Sequence, residues 1–174
     1  MTEDCCASPG AGSSVCDLPS PEPRHKREIA PCPQCGQSGK PVEGQTVRAM
    51  VSVSLRSVPQ DSYLFCRTRD CPVVYFNRDG RITFLTADLR ERVYQKEPES
   101  TDVSICYCFR HTVGQLVNAS REERDSILAD INAGIKAQEC ACDLRNPQGS
   151  CCLGNVTARI KLEVSSRVTQ QSQG

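Results

Sequence analysis

The sequence lacks several features that would assign it to a common class of protein. It has no tryptophan, and only 5% of its 174 residues are aromatic. It has no apolar run long enough to span a membrane, and Met1 to Gly12 lack the apolar region of a secretory signal. Lys and Arg together number 21, as do Asp and Glu, so the formal net charge is zero. We therefore expect a cytoplasmic protein without membrane insertion, and we do not expect nucleic acid as its partner.

Cysteine, in contrast, is abundant, with thirteen residues in the chain. A chain with few large apolar residues builds small cores, which need disulfides or bound metals for stability. Thiols that cluster in a reducing compartment favour metal over disulfide. No pairing of a nucleophile with a base is evident, so we do not predict an enzyme. The composition therefore predicts a metal-binding protein.

The chain divides into two tails and two ordered parts. The tails are polar and lack any apolar period, which is typical of disorder. A short linker rich in Pro, Ser and acidic residues separates the ordered parts. The predicted segments are a disordered tail at 1–29, a first subdomain at 30–97, a second subdomain at 102–164 and a disordered tail at 165–174.

The first subdomain reads as short strands with one short helix. Apolar and β-branched residues flank Asn77–Gly80, a strong turn signal, so a hairpin is predicted there. Apolar residues from Thr46 to Leu55 recur at helical spacing. The predicted extended segments are Tyr63–Phe65, Val73–Phe76, Arg81–Leu85 and Arg92–Tyr94.

The second subdomain reads as helical. A helix is predicted over His111–Ala119, and Ser120 with Glu123 forms a capping box that starts another. That second helix carries one apolar stripe, interrupted near its end by Gly134. The stripe consists of Ile127, Leu128, Ile131 and Ile135. After Gly154 the apolar residues fit either an alternating strand or a helix.

The first group of cysteines has the spacing of a zinc site. Two residues separate Cys32 from Cys35, so both sulfurs can reach one ion, and Gly36 permits the tight turn behind them. Cys66 and Cys71 supply a second pair between two predicted strands. Four thiolates leave no open coordination position, which indicates a structural rather than a catalytic zinc. A mononuclear iron site is the rival interpretation.

The second group of cysteines suits a 2Fe–2S cluster, which takes two thiolates per iron. Cys106 and Cys108 are close enough to hold one iron, and the predicted helices return the chain so that later cysteines can hold the second. The predicted ligands are Cys106, Cys108, Cys140 and Cys151, with Cys142 and Cys152 as alternates. Tyr107 and Phe109 are expected to shield the cluster from water. A second zinc site, or disulfides within 140–152, are the alternatives.

Several strings of residues resemble the N-terminal region of CopZ-type copper chaperones, a family of iron–sulfur-binding metallochaperones. They occur in the same order and span about residues 30 to 160. The strings are Phe65-Cys66, Cys71–Phe76, Gln95–Glu97, Cys106–Phe109 and Asn146–Val156.

The resemblance implies an α+β fold in two parts. A small zinc-ribbon-like α/β subdomain precedes a helical 2Fe–2S subdomain that is similar to bacterioferritin-associated ferredoxin. The cysteines of that ferredoxin run C-x-C, then, after a helical stretch, C-x-x-C. Cys106, Cys108 and Cys140 fit this register, but the final C-x-x-C is absent. The fourth ligand therefore stays open.

The resemblance also implies a role in copper or mercury handling. In the family the cluster is proposed to reduce Cu(II), so that Cu⁺ passes to a heavy-metal transport ATPase. The M-x-C-x-x-C copper loop of the family is absent from this sequence. Spare thiols at Cys5, Cys6 and Cys16, together with Cys142 and Cys152, would suit a soft cargo metal. The alternative is a ferredoxin-like electron-transfer module that carries no metal cargo.

Overall fold

A computed structural model describes residues 30–171 of the chain. The predicted tail at 1–29, with its cysteines, lies outside the described residues. Within residues 30–171, none of the helices combines the length and the apolar character that a bilayer crossing requires.

The first half is built on an antiparallel sheet of four short strands in sequential order. Tyr63–Phe65 pairs with Val73–Asn77, so that Phe65 lies opposite Tyr75. Valine and aromatic residues suit a pleated surface that is covered on both faces, and all five residues of the third strand are buried. The strands are β1 (Lys40–Val42), β2 (Tyr63–Phe65), β3 (Val73–Asn77) and β4 (Thr83–Leu85). The predicted hairpin is thereby confirmed.

A helix of two turns covers this sheet and is shorter than predicted. Helix α1 spans Gly44–Met50, and Val51 is already extended and bridges to Leu89. The β-branched residues after Met50 favour the extended backbone, which explains the early end. The first core contains side chains of the sheet, of α1 and of the following loops. Its buried members are Val42, Val47, Met50, Val51, Val58, Tyr63, Phe65, Val74, Tyr75, Phe84 and Val93.

The predicted strand at Arg92–Tyr94 is wrong, because this segment leads into a turn. The amides of Lys96 and Glu97 both donate to the carbonyl of Val93, at 2.9 and 3.1 Å. The guanidinium of Arg92 also pairs with the Glu97 carboxylate and so holds the segment bent. Local hydrogen bonds therefore replace the sheet partner that an extended segment would need.

The second half combines a two-stranded ribbon with four helices. The capping box is confirmed, since the Ser120 hydroxyl accepts from the Glu123 amide at 3.2 Å and the Glu123 carboxylate accepts from the Ser120 amide at 2.6 Å. The elements are β5 (Ser104–Cys106), β6 (His111–Thr112), α2 (Val113–Asn118), α3 (Arg121–Lys136), α4 (Cys142–Arg145) and α5 (Leu153–Gln171).

Helix α5 resolves the ambiguity that the sequence left after Gly154. Val156 is fully buried and Ile160 packs on the same core, whereas Leu162 and Val164 are 61% and 49% exposed. A strand would have placed all four on one face, so the helical interpretation is correct. The helix also continues to Gln171. It thus extends past residue 164, where the second subdomain was predicted to end and a disordered tail to begin.

The second core closes around the loop between β5 and β6, residues 107–110, which we call the cysteine loop, through a close contact at Gly134. A Cβ atom at Gly134 would lie 2.1 Å from the ring of Phe109, so only glycine lets the loop approach α3 this closely. This contact explains why α3 contains a glycine, a residue that otherwise weakens a helix. The buried members of this core are Ile105, Cys106, Val113, Leu116, Ile131, Cys152 and Val156.

The two predicted subdomains pack directly on one another. The hydroxyl of Tyr75, on β3, donates to the carbonyl of Pro147 at 2.6 Å, and this hydrogen bond is buried. Beside it, Gly149 fits against Val42 and Thr46, where a Cβ atom would lie 2.8 Å from the valine side chain. The predicted turn at 146–149 is therefore a docking element that joins the two halves.

We expect Tyr75→Phe to lower the free energy of unfolding by about 1–3 kcal/mol, because the buried Pro147 carbonyl would lose its donor. Urea denaturation of the zinc-loaded protein would measure the change. Tyr63→Phe is the matched control, since the Tyr63 hydroxyl reaches only Pro59, in its own half. An equal or larger loss in the control would contradict a special role for the contact between the halves.

Candidate metal centres

The first two cysteines lie on a tight turn that immediately precedes β1. The amide of Gly36 donates to the carbonyl of Cys32 at 2.8 Å, and the amide of Cys32 donates to Gln37 at the same distance. Gly36 has φ = 71°, a conformation that a side chain would strain. The turn directs both cysteine side chains to the same side.

The other two cysteines come from adjacent strands of the sheet. Cys66 follows the last residue of β2, and its amide donates to the carbonyl of Val74 at 2.9 Å. Cys71 lies just before β3, and its amide donates to Thr68 at 3.3 Å. Strand pairing therefore sets the distance between these two thiols before any metal binds.

The four predicted zinc ligands converge. The Sγ atoms of Cys32 and Cys71 are 3.9 Å apart, and the other pair, Cys35 and Cys66, is 3.7 Å apart. All four sulfurs lie within 4.8 Å of one another. A tetrahedral ion with bonds of about 2.3 Å needs sulfurs roughly 3.8 Å apart. The donor set and its spacing therefore fit one zinc ion.

The environments of these thiols differ. The hydroxyl of Thr68 lies 3.3 Å from Cys35 and donates to the sulfur when it is ionised, which lowers the pKa of Cys35 to about 6. Burial raises the pKa of Cys71 to about 12 and also raises that of Cys32. One ligand is therefore ready as a thiolate, whereas at least two must lose protons when metal binds.

The second group of cysteines forms two pairs, each of which joins an early residue to a late one. Cys108 Sγ lies 3.7 Å from Cys142 Sγ, at the start of α4. Cys152 packs with Cys106 in the second core, and a hydrogen bond from Cys152 lowers the pKa of Cys106 to about 6. Burial and, to a smaller extent, the neighbouring thiols raise the pKa of Cys142 to about 12. The sequence had instead grouped Cys106 with Cys108.

The pairs contain the two alternates, Cys142 and Cys152, in place of Cys140 and Cys151. Neighbouring residues in an extended segment point to opposite sides. Cys152 is accordingly 2% exposed and lies within the core, whereas Cys151 faces solvent. Cys140 lies just before α4 and is partly exposed. Which of these thiols bind metal remains a prediction.

The spacing of the second group differs from that of the first. Within the described part of the chain, the group at Cys32 to Cys71 is the one that gathers three or more ligand atoms within 4.8 Å. Two separate thiol pairs do not fit one tetrahedral ion, but they match the two irons of a 2Fe–2S cluster, each of which takes two thiolates. These four thiols therefore fit a 2Fe–2S cluster better than a second zinc ion.

The two aromatic residues expected to shield the cluster behave differently. Phe109 packs on the core that contains Cys106 and Cys152. Tyr107 instead points towards the first half, where its hydroxyl donates to the Arg92 carbonyl at 2.7 Å and accepts from the Tyr94 amide at 2.9 Å. Only Phe109 therefore has the expected apolar contact.

Sequence reasoning missed two residues that support the sites. Thr68, which bonds Cys35, also accepts at its carbonyl from the ammonium group of Lys96 at 2.8 Å. Lys96 is buried, which is unusual for a lysine. A hydroxyl placed two residues after a predicted ligand is the signal that points to Thr68. Nothing in the sequence distinguishes Lys96 from an exposed lysine.

The geometry can be compared with known proteins. Residues 29–90 match a family model, zf_CopZ, described as a zinc binding domain. The X-ray structure of the Archaeoglobus fulgidus CopZ N-terminal domain is 31% identical, with a TM-score of 0.60. The match covers 74% of this chain and 95% of that one. This chain belongs to the CopZ N-terminal domain family.

The family assignment agrees with the first metal centre and with the mixed α/β fold. The matched zinc binding domain contains all four converging thiols, so this member of the CopZ N-terminal family has a zinc-binding domain. No match is found among curated proteins.

We expect Cys32→Ser to weaken zinc binding on the order of a hundredfold, because one of four thiolate ligands is lost. Competition with a chromophoric chelator would measure the affinity. Cys151→Ser is the control, since this exposed cysteine lies in the other half. Unchanged affinity in Cys32→Ser, or an equal loss in the control, would refute the proposed ligand set.

Zinc affinity should rise steeply between about pH 6 and about pH 8. The pKa values of Cys32 and Cys71 are raised, so both thiols are protonated across this range without metal and release protons on binding. Removing protons from solution therefore favours the bound state. The same competition assay at several pH values tests this, and an affinity independent of pH would contradict it.

Proposed function

We propose that this chain is a zinc- and iron–sulfur-binding metallochaperone that supplies electrons during copper or mercury handling in the cytoplasm. The observation that carries the proposal is the pair of thiol contacts, Cys108 with Cys142 and Cys106 with Cys152. Four thiols in two pairs are what a 2Fe–2S cluster requires. Such a cluster accepts or donates one electron at a time.

The loop around Cys106 provides the environment that such a group needs. The Cys152 thiol and the backbone amides of Phe109 and Cys108 donate to the Cys106 sulfur and favour its ionised form. Hydrogen bonds to ligand sulfurs and exclusion of water both tune a reduction potential. Cys106 and Cys152 are buried, so two of the four proposed ligands exclude water.

The zinc site supports this loop from a distance. Zinc would hold the turn that contains Thr68, whose carbonyl accepts from Lys96. The same stretch of chain provides Arg92 and Tyr94, which hold the hydroxyl of Tyr107. Tyr107 lies between Cys106 and Cys108, so an intact zinc site helps to position both. The role of zinc is therefore structural, and we propose no substrate pocket or enzymatic reaction.

The cargo and the partner follow from the family resemblance and from thiol chemistry. Soft Cu⁺ prefers thiolate ligands. Cys140 and Cys151 lie outside both proposed sites and remain free to bind it. A heavy-metal transport ATPase is the proposed acceptor.

An electron-transfer module without cargo is the second candidate. One observation favours it. Within the described residues, no disulfide or sulfur–sulfur hydrogen bond joins Cys140 to Cys151, so the two thiols proposed to bind Cu⁺ are not seen paired. Competition for Cu⁺ with bathocuproine disulfonate separates the candidates. Copper retention by the full chain, lost in Cys140→Ser/Cys151→Ser, supports the chaperone, and no retention supports electron transfer alone.

We expect protein purified without oxygen to contain one zinc, two irons and two acid-labile sulfides per chain. Cys142→Ser and Cys152→Ser should each remove most of the iron and the visible absorption, because one iron loses a ligand. Metal analysis and the visible spectrum measure both effects.

The matched controls are Cys140→Ser and Cys151→Ser, which should keep the cluster. If these two lose it while the first two keep it, the ligands predicted first from the sequence are correct. Zinc without sulfide, even after chemical reconstitution, would refute the redox function.

A further inference from the structure

An open cavity of about 170 Å³ lies where the two halves of the molecule meet. Its walls come from α1, from the loop after β4, from the cysteine loop and from α4. Three arginines and one glutamate make its charge positive. The lining residues are Ala49, Met50, Arg90, Glu91, Tyr107, Arg110, Leu144 and Arg145.

The charge of this cavity is only partly neutralised. Glu91 pairs with Arg110 at 2.9 Å. Arg90 donates through Nε to the carbonyl of Val51 at 2.8 Å, which uses one of its five N–H groups. Arg145 makes no side-chain hydrogen bond or ion pair within the described residues. The guanidinium groups of Arg90 and Arg145 are therefore available to an anionic ligand.

The cavity also contains apolar surface. Leu144 is 45% exposed at its edge, and side chains of Ala49 and Met50 complete the wall. An apolar centre among arginines is typical of protein interfaces, in which arginine is enriched. A nucleic-acid site would instead need a broad basic field, and the chain as a whole has no net charge.

The position of the cavity relates it to the second metal centre. Tyr107 lies between Cys106 and Cys108, and Arg110 follows two residues later. Leu144 and Arg145 are on α4, which begins with Cys142. Three of the four proposed cluster ligands are therefore on elements that line the cavity. A protein that docks here lies against the cysteine loop.

We propose that this arginine-lined cavity is the docking site of an acidic one-electron carrier protein, which places carboxylates against Arg90 and Arg145. The inference rests on the proposed function, since it needs the cluster as the electron acceptor. The carrier is oxidised by one electron and the cluster is reduced by one, and no proton is transferred. Such redox encounters are small, transient and steered by charge.

The first experiment uses two oxidants of opposite charge on the reduced cluster in stopped flow, namely ferricyanide and hexaamminecobalt(III). At low ionic strength, Arg90→Gln/Arg145→Gln should slow ferricyanide by about fivefold or more and should not slow the cation. The difference should vanish at high salt. Arg145→Gln alone should show a smaller change in the same direction.

The matched control is Arg78→Gln/Arg81→Gln, which removes the same charge from the exposed β3–β4 turn. This turn lies beside Pro33, in the zinc turn. If the control slows ferricyanide as much as the cavity variant does, the whole-protein charge is responsible and the proposal fails. Zinc content and urea denaturation establish that both variants fold.

The second experiment does not require a cluster. A decaglutamate peptide titrated into zinc-loaded protein should shift the amide NMR signals of Arg90, Leu144 and Arg145, and the cavity variant should lose the effect. No shift, or a larger shift with oligouridine, overturns the proposal. If the peptide binds but no cluster ever assembles, the electron transfer and the proposed function fail together, and only an acidic-partner site remains.

Discussion

The arrangement of the molecule depends on the docking of the turn at 146–149 onto the sheet. The buried hydrogen bond from Tyr75 to Pro147 fixes this turn, and Gly149 lets it approach β1. The turn leads directly into Cys151 and Cys152. Its position therefore decides which of the two points into the core and which faces solvent. A contact made by the zinc half thus orients a thiol of the proposed second metal centre.

The two centres are structurally connected, although the sequence separates them. Cysteines are part of the buried interior of each half, as expected for small cores that need metal. Cys106 and Cys152 belong to the second core, and Cys32, Cys66 and Cys71 pack with Leu64, Val73 and Phe76. The link runs from Thr68 through the buried Lys96 to the segment that holds Tyr107. Loss of zinc would therefore disturb the cysteine loop as well as the sheet.

Charge is distributed unevenly in a chain whose net charge is zero. The tertiary structure gathers three arginines from three separate segments around one cavity, and only one of them is paired with a carboxylate there. Arg110 also has φ = 61°, which is uncommon for a residue other than glycine or asparagine. The overall composition shows no net charge, but it could not reveal a local group of arginines.

The sequence alone determined the metal-binding character, the zinc turns, the hairpin and the capped helix α3. These depend on local spacing and turn chemistry, which do not need the rest of the chain. Only the tertiary structure decided that α5 is helical, that Arg92–Tyr94 is bent, and that the alternates Cys142 and Cys152 face the early cysteines. The first and third outcomes depend on which face of a segment is buried, and contacts between residues far apart in sequence set that burial. The bend at Arg92–Tyr94 is held by local hydrogen bonds and by the Tyr107 hydroxyl from the other half.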